Sequence, residues 1–325
     1  MQFLASCKEC GAPQGIFNDK NIFEKEIIKQ NKCWHCNKQF ISSSSSNIIN
    51  LNQDDSLDIL VLKNKLLDFW SSDWENKYKI WLDKQGWPIL DKTKNHYEQV
   101  SSIFRDQFRI SPLWVELCQN LKEFDSEYNI EKEYPLLLDF NPPKLYKKSF
   151  DSFLLKTFRK NILNNQNLPN EPDNGWIFPN NWYSQINDIV RTLFVVKYLD
   201  GVNFMVDKIE SLCKKYDVKY ETSFEAKDEG YYAAHLSILQ EFEIPKYDWD
   251  TTKISVRIEI QITTQLQEVI RKLLHKHYEE NRKTVEKEDI KWQWNYKSDE
   301  FSTNYLGHIL HYVEGMIMEI RDKGE

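Results

Sequence analysis

Two cysteine motifs near the start of the chain have the spacing of a metal site. Cys7 and Cys10 form one CxxC pair, and Cys33 and Cys36 form a second. Two such turns present four thiolates, which complete the tetrahedral shell of structural zinc. A closed shell leaves no position for a substrate, so we expect structural Zn²⁺ in a zinc-ribbon-like module over residues 1–41. Fortuitous pairs or a redox dithiol are the alternatives to this metal site.

A second chemical signal is the alternating stretch SVRIEIQITTQ at residues 255–265. Successive side chains of a strand point to opposite faces, so one face here is apolar and the other is polar. The polar face carries Glu259 and Gln261. The pattern predicts a strand whose polar face meets either bulk water or a substrate.

Three short segments place further reactive side chains in a recognisable order. They are INDIVRT with Asp188, EGYYAAHL with Tyr231 and His235, and IEIQITT with Glu259 and Gln261. The series resembles the synthetase domain of the RelA/SpoT alarmone synthetases. In that family the patterns D-x-x-G-x-R, G-Y-x-x-x-H and E-x-Q-x-R-T follow one another and lead into an amphipathic helix. The resemblance covers about residues 145–282.

The resemblance implies a fold, a reaction and a set of roles. The family transfers pyrophosphate from ATP to a ribose 3′-hydroxyl, commonly that of GDP or GTP, on a nucleotidyltransferase-like mixed sheet flanked by helices. Asp188 would bind catalytic Mg²⁺, Glu259 would act near the attacking hydroxyl, and Gln261 would orient Glu259 or a nucleotide. Tyr231 would stack on the acceptor base, and His235 would contact its phosphate or ribose.

The donor phosphates of ATP also need positive charge. FLLKTFRKN at residues 153–161 places Lys156, Arg159 and Lys160 at helical spacing. The stretch occupies the place of a basic segment that holds ATP phosphates in the family. Arg191 would add a further phosphate contact.

The chain departs from the family pattern where cations are expected. Arg191 replaces the glycine after the aspartate, Leu193 replaces an arginine, and Thr263 replaces the arginine of E-x-Q-x-R-T. Three functions therefore remain: alarmone synthesis on GDP or GTP, toxin-like pyrophosphorylation of the tRNA 3′ end, and a non-catalytic regulatory role for a degenerate domain. The sequence contains no His-Asp dipeptide, so the hydrolase domain of bifunctional relatives is not expected.

Composition excludes several other classes. The net charge of −7 gives no support for a protein that coats nucleic acid. Glycine is scarce, at 9 residues, and forms neither a Rossmann nor a P-loop motif. A run of about 18 apolar residues is absent, and the first residues lack the pattern of a secretion signal. We therefore expect a cytoplasmic protein without a membrane partner.

Patterning predicts the elements that position these residues. After the module at 1–41 we expect a Ser/Asn-rich linker at 42–55, a helical segment at 56–135 and the synthetase-like domain at 136–325. Apolar and β-branched runs predict strands at 189–199, 234–244 and 255–265, and a final helix at 302–322. Strands alternating with helices predict an α+β fold, that is, a mixed α/β sheet with helical flanks. A regulatory protein is a possible partner of the zinc module.

Overall fold

The computed structural model describes residues 3–17, 32–40, 46–50, 69–70, 73–168, 170–246, 250–272 and 292–323. The chain divides into two units. The first comprises Met1–Asn95, Phe150–Trp182 and Thr284–Glu286, and the second His96–Ser149, Tyr183–Lys283 and Lys287–Glu325. Each unit contains its own β-sheet.

The sheet of the first unit has three antiparallel strands. They are β1 (Phe3–Cys7), β2 (Pro13–Phe17) and β3 (Ser46–Asn50), in the order β2-β1-β3. Strand β3 lies inside the segment 42–55 that was expected to be a linker. That segment is polar overall, but Ile48 and Ile49 are β-branched and suit a strand. The other domain boundaries stay predictions.

The helical part of the first unit contains α1 (Trp74–Lys84) and α5 (Phe150–Phe158), which continues as a π-helix over Arg159–Leu163. Aromatic rings pack around Phe158, with Trp74 stacked on it at 4.8 Å and Tyr78 edge-on at 5.3 Å. The buried Asn161 donates to the Tyr78 hydroxyl and exchanges hydrogen bonds with the backbone of Ile177. Tyr78 and Ile177 thus satisfy the polar side chain that the π-helical turn places inside an aromatic core.

The second unit is built on a five-stranded mixed sheet in the order β4-β5-β8-β7-β6. Strands β5 and β8 are parallel, and every other neighbouring pair is antiparallel. The strands are β4 (Tyr146–Lys147), β5 (Val190–Val196), β6 (Tyr220–Ala226), β7 (Tyr232–Pro245) and β8 (Thr251–Thr264). A mixed sheet flanked by helices confirms the α+β prediction.

Helices complete the second unit. They are α2 (Asp91–Arg109), most of which lies in this unit, α3 (Pro112–Gln119), α4 (Leu121–Lys132), the short α6 (Trp182–Gln185), α7 (Leu199–Lys215), α8 (described over 265–272) and α9 (Asp299–Lys323). Local sequence explains the start of α3, because Ser111 accepts a hydrogen bond from the Trp114 amide and Pro112 occupies the first turn. A 3₁₀ turn at Trp292–Trp294 precedes α9.

The alternation of apolar and polar side chains along β8 gives the strand one apolar face and one polar face. Ile258, Ile260 and Ile262 have no solvent exposure, and burial of each stabilises the fold by roughly 1.5–3 kcal/mol. Helix α7 covers this face, and its Glu210 accepts a hydrogen bond from Thr222 of β6. The other face presents Glu259 and Gln261, which are only half-buried. The rigid apolar face therefore fixes the polar side chains opposite it.

A search of the described residues finds no helix with the length and apolar character needed to cross a membrane.

Candidate functional site

The polar face of the sheet brings together residues from three strands. In the parallel pairing of β5 and β8, Arg191 lies beside Glu259. In the antiparallel pairing of β7 and β8, His235 lies beside Gln261 and Ser237 beside Glu259. Side chains at paired positions share a face, so strand register places these groups in adjoining rows.

Glu259 is the centre of this cluster. Its Oε1 accepts a hydrogen bond from Gln261 Nε2, and its Oε2 lies 3.6 Å from His235 Nδ1. The two side chains of the Glu259–His235 pair are 15% and 19% exposed. Burial raises the pKa of Glu259, but the neighbouring His235 and Gln261 outweigh it and leave the pKa below its ordinary value. The carboxyl is therefore ionised at neutral pH and available to accept a proton.

Tyr231 extends the cluster on the side away from Glu259. Its hydroxyl lies 2.9 Å from His235 Nε2, and the two rings meet edge to face. Burial raises the pKa of the Tyr231 phenol well above its ordinary value, and the charge of Glu259 raises it further. The phenol therefore stays neutral, and one hydrogen bond links Tyr231 to His235, next to Glu259.

Asp188 lies just before β5 and is 7% exposed. Its Oδ2 is 2.8 Å from Lys148 Nζ, and the side chains of this ion pair are only 9% and 10% exposed. The backbone of Lys148 is fixed too, since its amide donates to the Ile189 carbonyl and its carbonyl accepts from the Tyr97 hydroxyl. Lys148 was not selected from the sequence, although it lies in the basic run KLYKK.

Thr263, at the position where the resembled motif has an arginine, is buried. Its side chain is 3% exposed, and its hydroxyl donates to the Tyr232 carbonyl at 2.9 Å. Positive charge near Tyr231 comes instead from Arg191 and Arg271, both of which act to lower the Tyr231 pKa. Arg271 on α8 is held by two hydrogen bonds to Glu268. Its only sequence signal was a position on the amphipathic helix after β8.

Lys156, Arg159 and Lys160 lie in the first unit, on α5 and the π-helix. Lys156 and Arg159 are half-buried and Lys160 is exposed. The change to π geometry at Arg159 alters the simple α-helical spacing expected of the three. Their contact with ATP stays a prediction.

Asp188 offers a carboxylate that could bind a hard cation. The charge of Asp188 raises the pKa of Glu259. Mg²⁺ in phosphoryl-transfer sites takes one or two carboxylates and completes its shell with substrate phosphates and water. The single carboxylate of Asp188 fits that donor set, with Lys148 sharing its charge.

The four paired cysteines meet in the first unit. Their Sγ atoms all lie within 4.8 Å of one another, and the Cys7–Cys36 and Cys10–Cys33 separations are both 3.7 Å. Tetrahedral Zn–S bonds of about 2.3 Å require sulfur separations of about 3.8 Å, so the group fits zinc. Within the described ranges, no other group of three or more His, Cys, Asp or Glu side chains is arranged to hold an ion.

The second unit also contains a cavity of about 450 Å³, which is separate from the cluster around Glu259. Its walls include Val202 of α7, Phe224 of β6 and Met318 of α9, and they are mainly apolar. Asp188, Glu259 and His235 are not among its lining residues. Its chemistry does not suit phosphate transfer.

Comparison with known proteins gives similarities of fold. Neither the family models nor the curated proteins include a match to this chain. Small alarmone synthetase 1 from Bacillus subtilis, bound to its product pppGpp, is 17% identical with a TM-score of 0.46, and the match covers 70% of this chain and 98% of that one. Small alarmone synthetase 2 from Bacillus subtilis is 18% identical with a TM-score of 0.38, covering 65% and 96%. A GTP pyrophosphokinase family protein from Streptococcus pneumoniae is 15% identical with a TM-score of 0.42, covering 72% and 93%.

At such identities the likeness concerns the fold, and the chemistry must be argued from the residues of this chain.

Proposed function

We propose that the second unit is a Mg²⁺-dependent pyrophosphokinase that transfers pyrophosphate from ATP to the ribose 3′-hydroxyl of GDP or GTP. The observation that carries the proposal is the arrangement around Glu259. An ionised carboxylate is held by Gln261, stands beside the His235–Tyr231 pair and has its pKa raised by the charge of Asp188. These side chains come from the three segments that resemble the synthetase motifs.

Glu259 is the proton acceptor in this mechanism. The 3′-oxygen of the acceptor loses its proton to Glu259 and forms a bond to the β-phosphorus of ATP. The bond from that phosphorus to the oxygen shared with the α-phosphate breaks, and AMP leaves with the electron pair. Since this chemistry needs mainly positioning and charge neutralisation, a rigid sheet face suits it.

The remaining residues bind and orient. Tyr231 stacks on the acceptor base, which is worth about 1–3 kcal/mol and tolerates different bases. His235 binds acceptor phosphate or ribose. Lys148, Arg191 and Arg271 supply positive charge near the polar face. Mg²⁺ bound by Asp188 would neutralise phosphate charge.

The four cysteines are proposed to bind one structural Zn²⁺. Gln14 and the amide of His35 both lie 3.4 Å from Cys33 Sγ, as expected for donors that stabilise a thiolate ligand. Four thiolates leave no open coordination position, so the zinc would fold the N-terminal module and take no part in transfer.

A second candidate acceptor is the 3′ end of tRNA. The observation that favours it is the buried Thr263, since the cation that the family pattern places there is missing. In this candidate the same groups act on a terminal ribose of a much larger acceptor, and the zinc module would help to dock it.

The test is transfer of label from ATP carrying ³²P in its γ-phosphate. Full-length protein is incubated with Mg²⁺ and, in parallel, GDP, GTP or tRNA. We expect label to appear on GDP or GTP. Label on tRNA alone would replace the free nucleotide with the second candidate, and no label on any acceptor despite ATP binding would favour a non-catalytic regulatory protein.

A further inference from the structure

The turn that leads into Tyr231 meets helix α9 backbone to backbone. Gly230, at φ +74°, lies so close that a Cβ built on it would be 2.4 Å from the Asn304 carbonyl oxygen. A Cβ built on Gly307 would be 2.4 Å from the Gly230 carbonyl oxygen. Neither distance is sterically possible, so both positions need glycine for this approach.

Tyr232, which follows Tyr231 in the chain, is also held by α9. Its ring stacks on His311 at 3.6 Å between centroids, and its hydroxyl lies 2.8 Å from His308 Nδ1. His308 Nε2 lies 2.9 Å from the Asp228 carbonyl oxygen, which can only accept a hydrogen bond. Nε2 therefore carries the proton, and Nδ1 accepts from the Tyr232 hydroxyl. His308 thus joins both ends of the turn to α9.

These contacts fix the backbone that carries Tyr231. Neighbouring side chains at the start of a strand point to opposite faces. Tyr232 therefore contacts α9 on the apolar face of the sheet, while Tyr231 contacts His235 on the polar face. The hydroxyl of Thr263 also holds the Tyr232 carbonyl. Displacement of α9 at Gly307 must therefore shift Tyr231 relative to Glu259.

We propose that α9 is a positioning element for the acceptor, with Gly307 and His308 as its positioning residues. The inference rests on the proposed function, in which Tyr231 stacks on the acceptor base. Helix α9 then controls how well the acceptor binds, whereas binding of ATP depends on other residues.

Gly307→Ala is the main variant, and α9 itself supplies a matched control. Gly315 lies on the same helix, and a Cβ built there meets no atom within 4 Å. Gly315→Ala therefore makes the same chemical change without touching the turn. Tyr232→Phe is a milder second variant, since it removes only the hydroxyl that meets His308 and keeps the ring on His311.

The measurements are KM for acceptor and for ATP, and the dissociation constant of GTP by calorimetry, with circular dichroism to confirm folding. Loss of base stacking predicts an acceptor KM about 5- to 100-fold higher for Gly307→Ala. Loss of one hydrogen bond predicts about a 2- to 10-fold increase for Tyr232→Phe. We expect KM for ATP to be unchanged in both, and Gly315→Ala to match the wild-type protein.

Equal acceptor KM values for Gly307→Ala and Gly315→Ala, with Tyr232→Phe like wild type, would overturn the inference. A parallel rise in KM for acceptor and ATP would also overturn it. If the wild-type protein binds GTP but transfers nothing, the proposed function fails on its own. The GTP dissociation constants of the same variants then decide the role of α9.

Discussion

Adjacent lysines on one short segment allow a sharp test of burial. The Lys148–Asp188 pair has a separation of 2.8 Å and side chains that are 10% and 9% exposed. The Lys147–Glu98 pair has a separation of 2.6 Å, but its side chains are 28% and 33% exposed. Removing one partner of a buried pair costs about 3–5 kcal/mol, whereas a solvated pair contributes about 0–1 kcal/mol. Lys148→Met should therefore destabilise the second unit by about 3–5 kcal/mol and Lys147→Met by about 1 kcal/mol or less.

The assay is urea unfolding, with hydrogen exchange in peptides from β5 as the readout, so that unfolding of the second unit is observed directly. Asp188→Asn in the Lys148→Met background should restore much of the lost stability, because it removes the buried negative charge that Lys148 balanced. Equal losses for the two lysine variants, or no recovery in the double variant, would refute the reasoning from burial.

Three further predictions concern other parts of the molecule. Burial raises the pKa of Asp200, but hydrogen bonds from Arg321 and Tyr128 outweigh burial and leave the pKa below its ordinary value. The ionised carboxylate therefore stabilises the fold above its unfolded pKa of about 3.9. This stability is lost as the pH falls through the lower pKa of the folded state. Arg321→Met should reduce thermal stability at pH 7 and flatten its loss on acidification towards pH 2, and an unchanged acid profile would contradict the assignment. Metal analysis should find about one zinc per chain, lost in Cys33→Ser together with protection of β1 from exchange, and a zinc-free chain with all four cysteines would contradict the site. Ile260→Ala, at a residue with no exposure, should cost about 2–5 kcal/mol in urea unfolding. The exposed Val269→Ala should change stability by about 0.5 kcal/mol or less, and similar values for both would contradict the proposed packing.

Regular patterning made the centre of the fold predictable. The alternation of Ile258 and Ile260 with Glu259 identified β8 and its two faces, and the β-branched run at 189–199 identified β5. Strand β6 was missed, because Tyr220–Ala226 is a sheet edge whose residues are largely exposed and lack strong alternation. Strand β4 has only two residues, too few for any periodic signal.

The residues of the candidate site were likewise only partly predictable from the sequence. Glu259, Gln261, Tyr231 and His235 could be selected because each lies in a short motif, and the structure places them on one side of the sheet. Lys148 could not be assigned to Asp188 from sequence, since they are paired only through the β4–β5 fold. The contact of Gly230 with Gly307 is equally hidden, because it joins backbone atoms far apart in the chain.

Whether Glu259 accepts the proton during transfer is tested most directly by Glu259→Gln, which keeps the shape of the side chain and removes its basicity. Glu243→Gln, at an exposed residue of β7, makes the same change outside the site. With GDP or GTP as acceptor, the rate of pyrophosphate transfer from ATP should fall about 10²- to 10⁴-fold in Glu259→Gln and stay at the wild-type rate in Glu243→Gln. Transfer by Glu259→Gln at the wild-type rate would contradict the account.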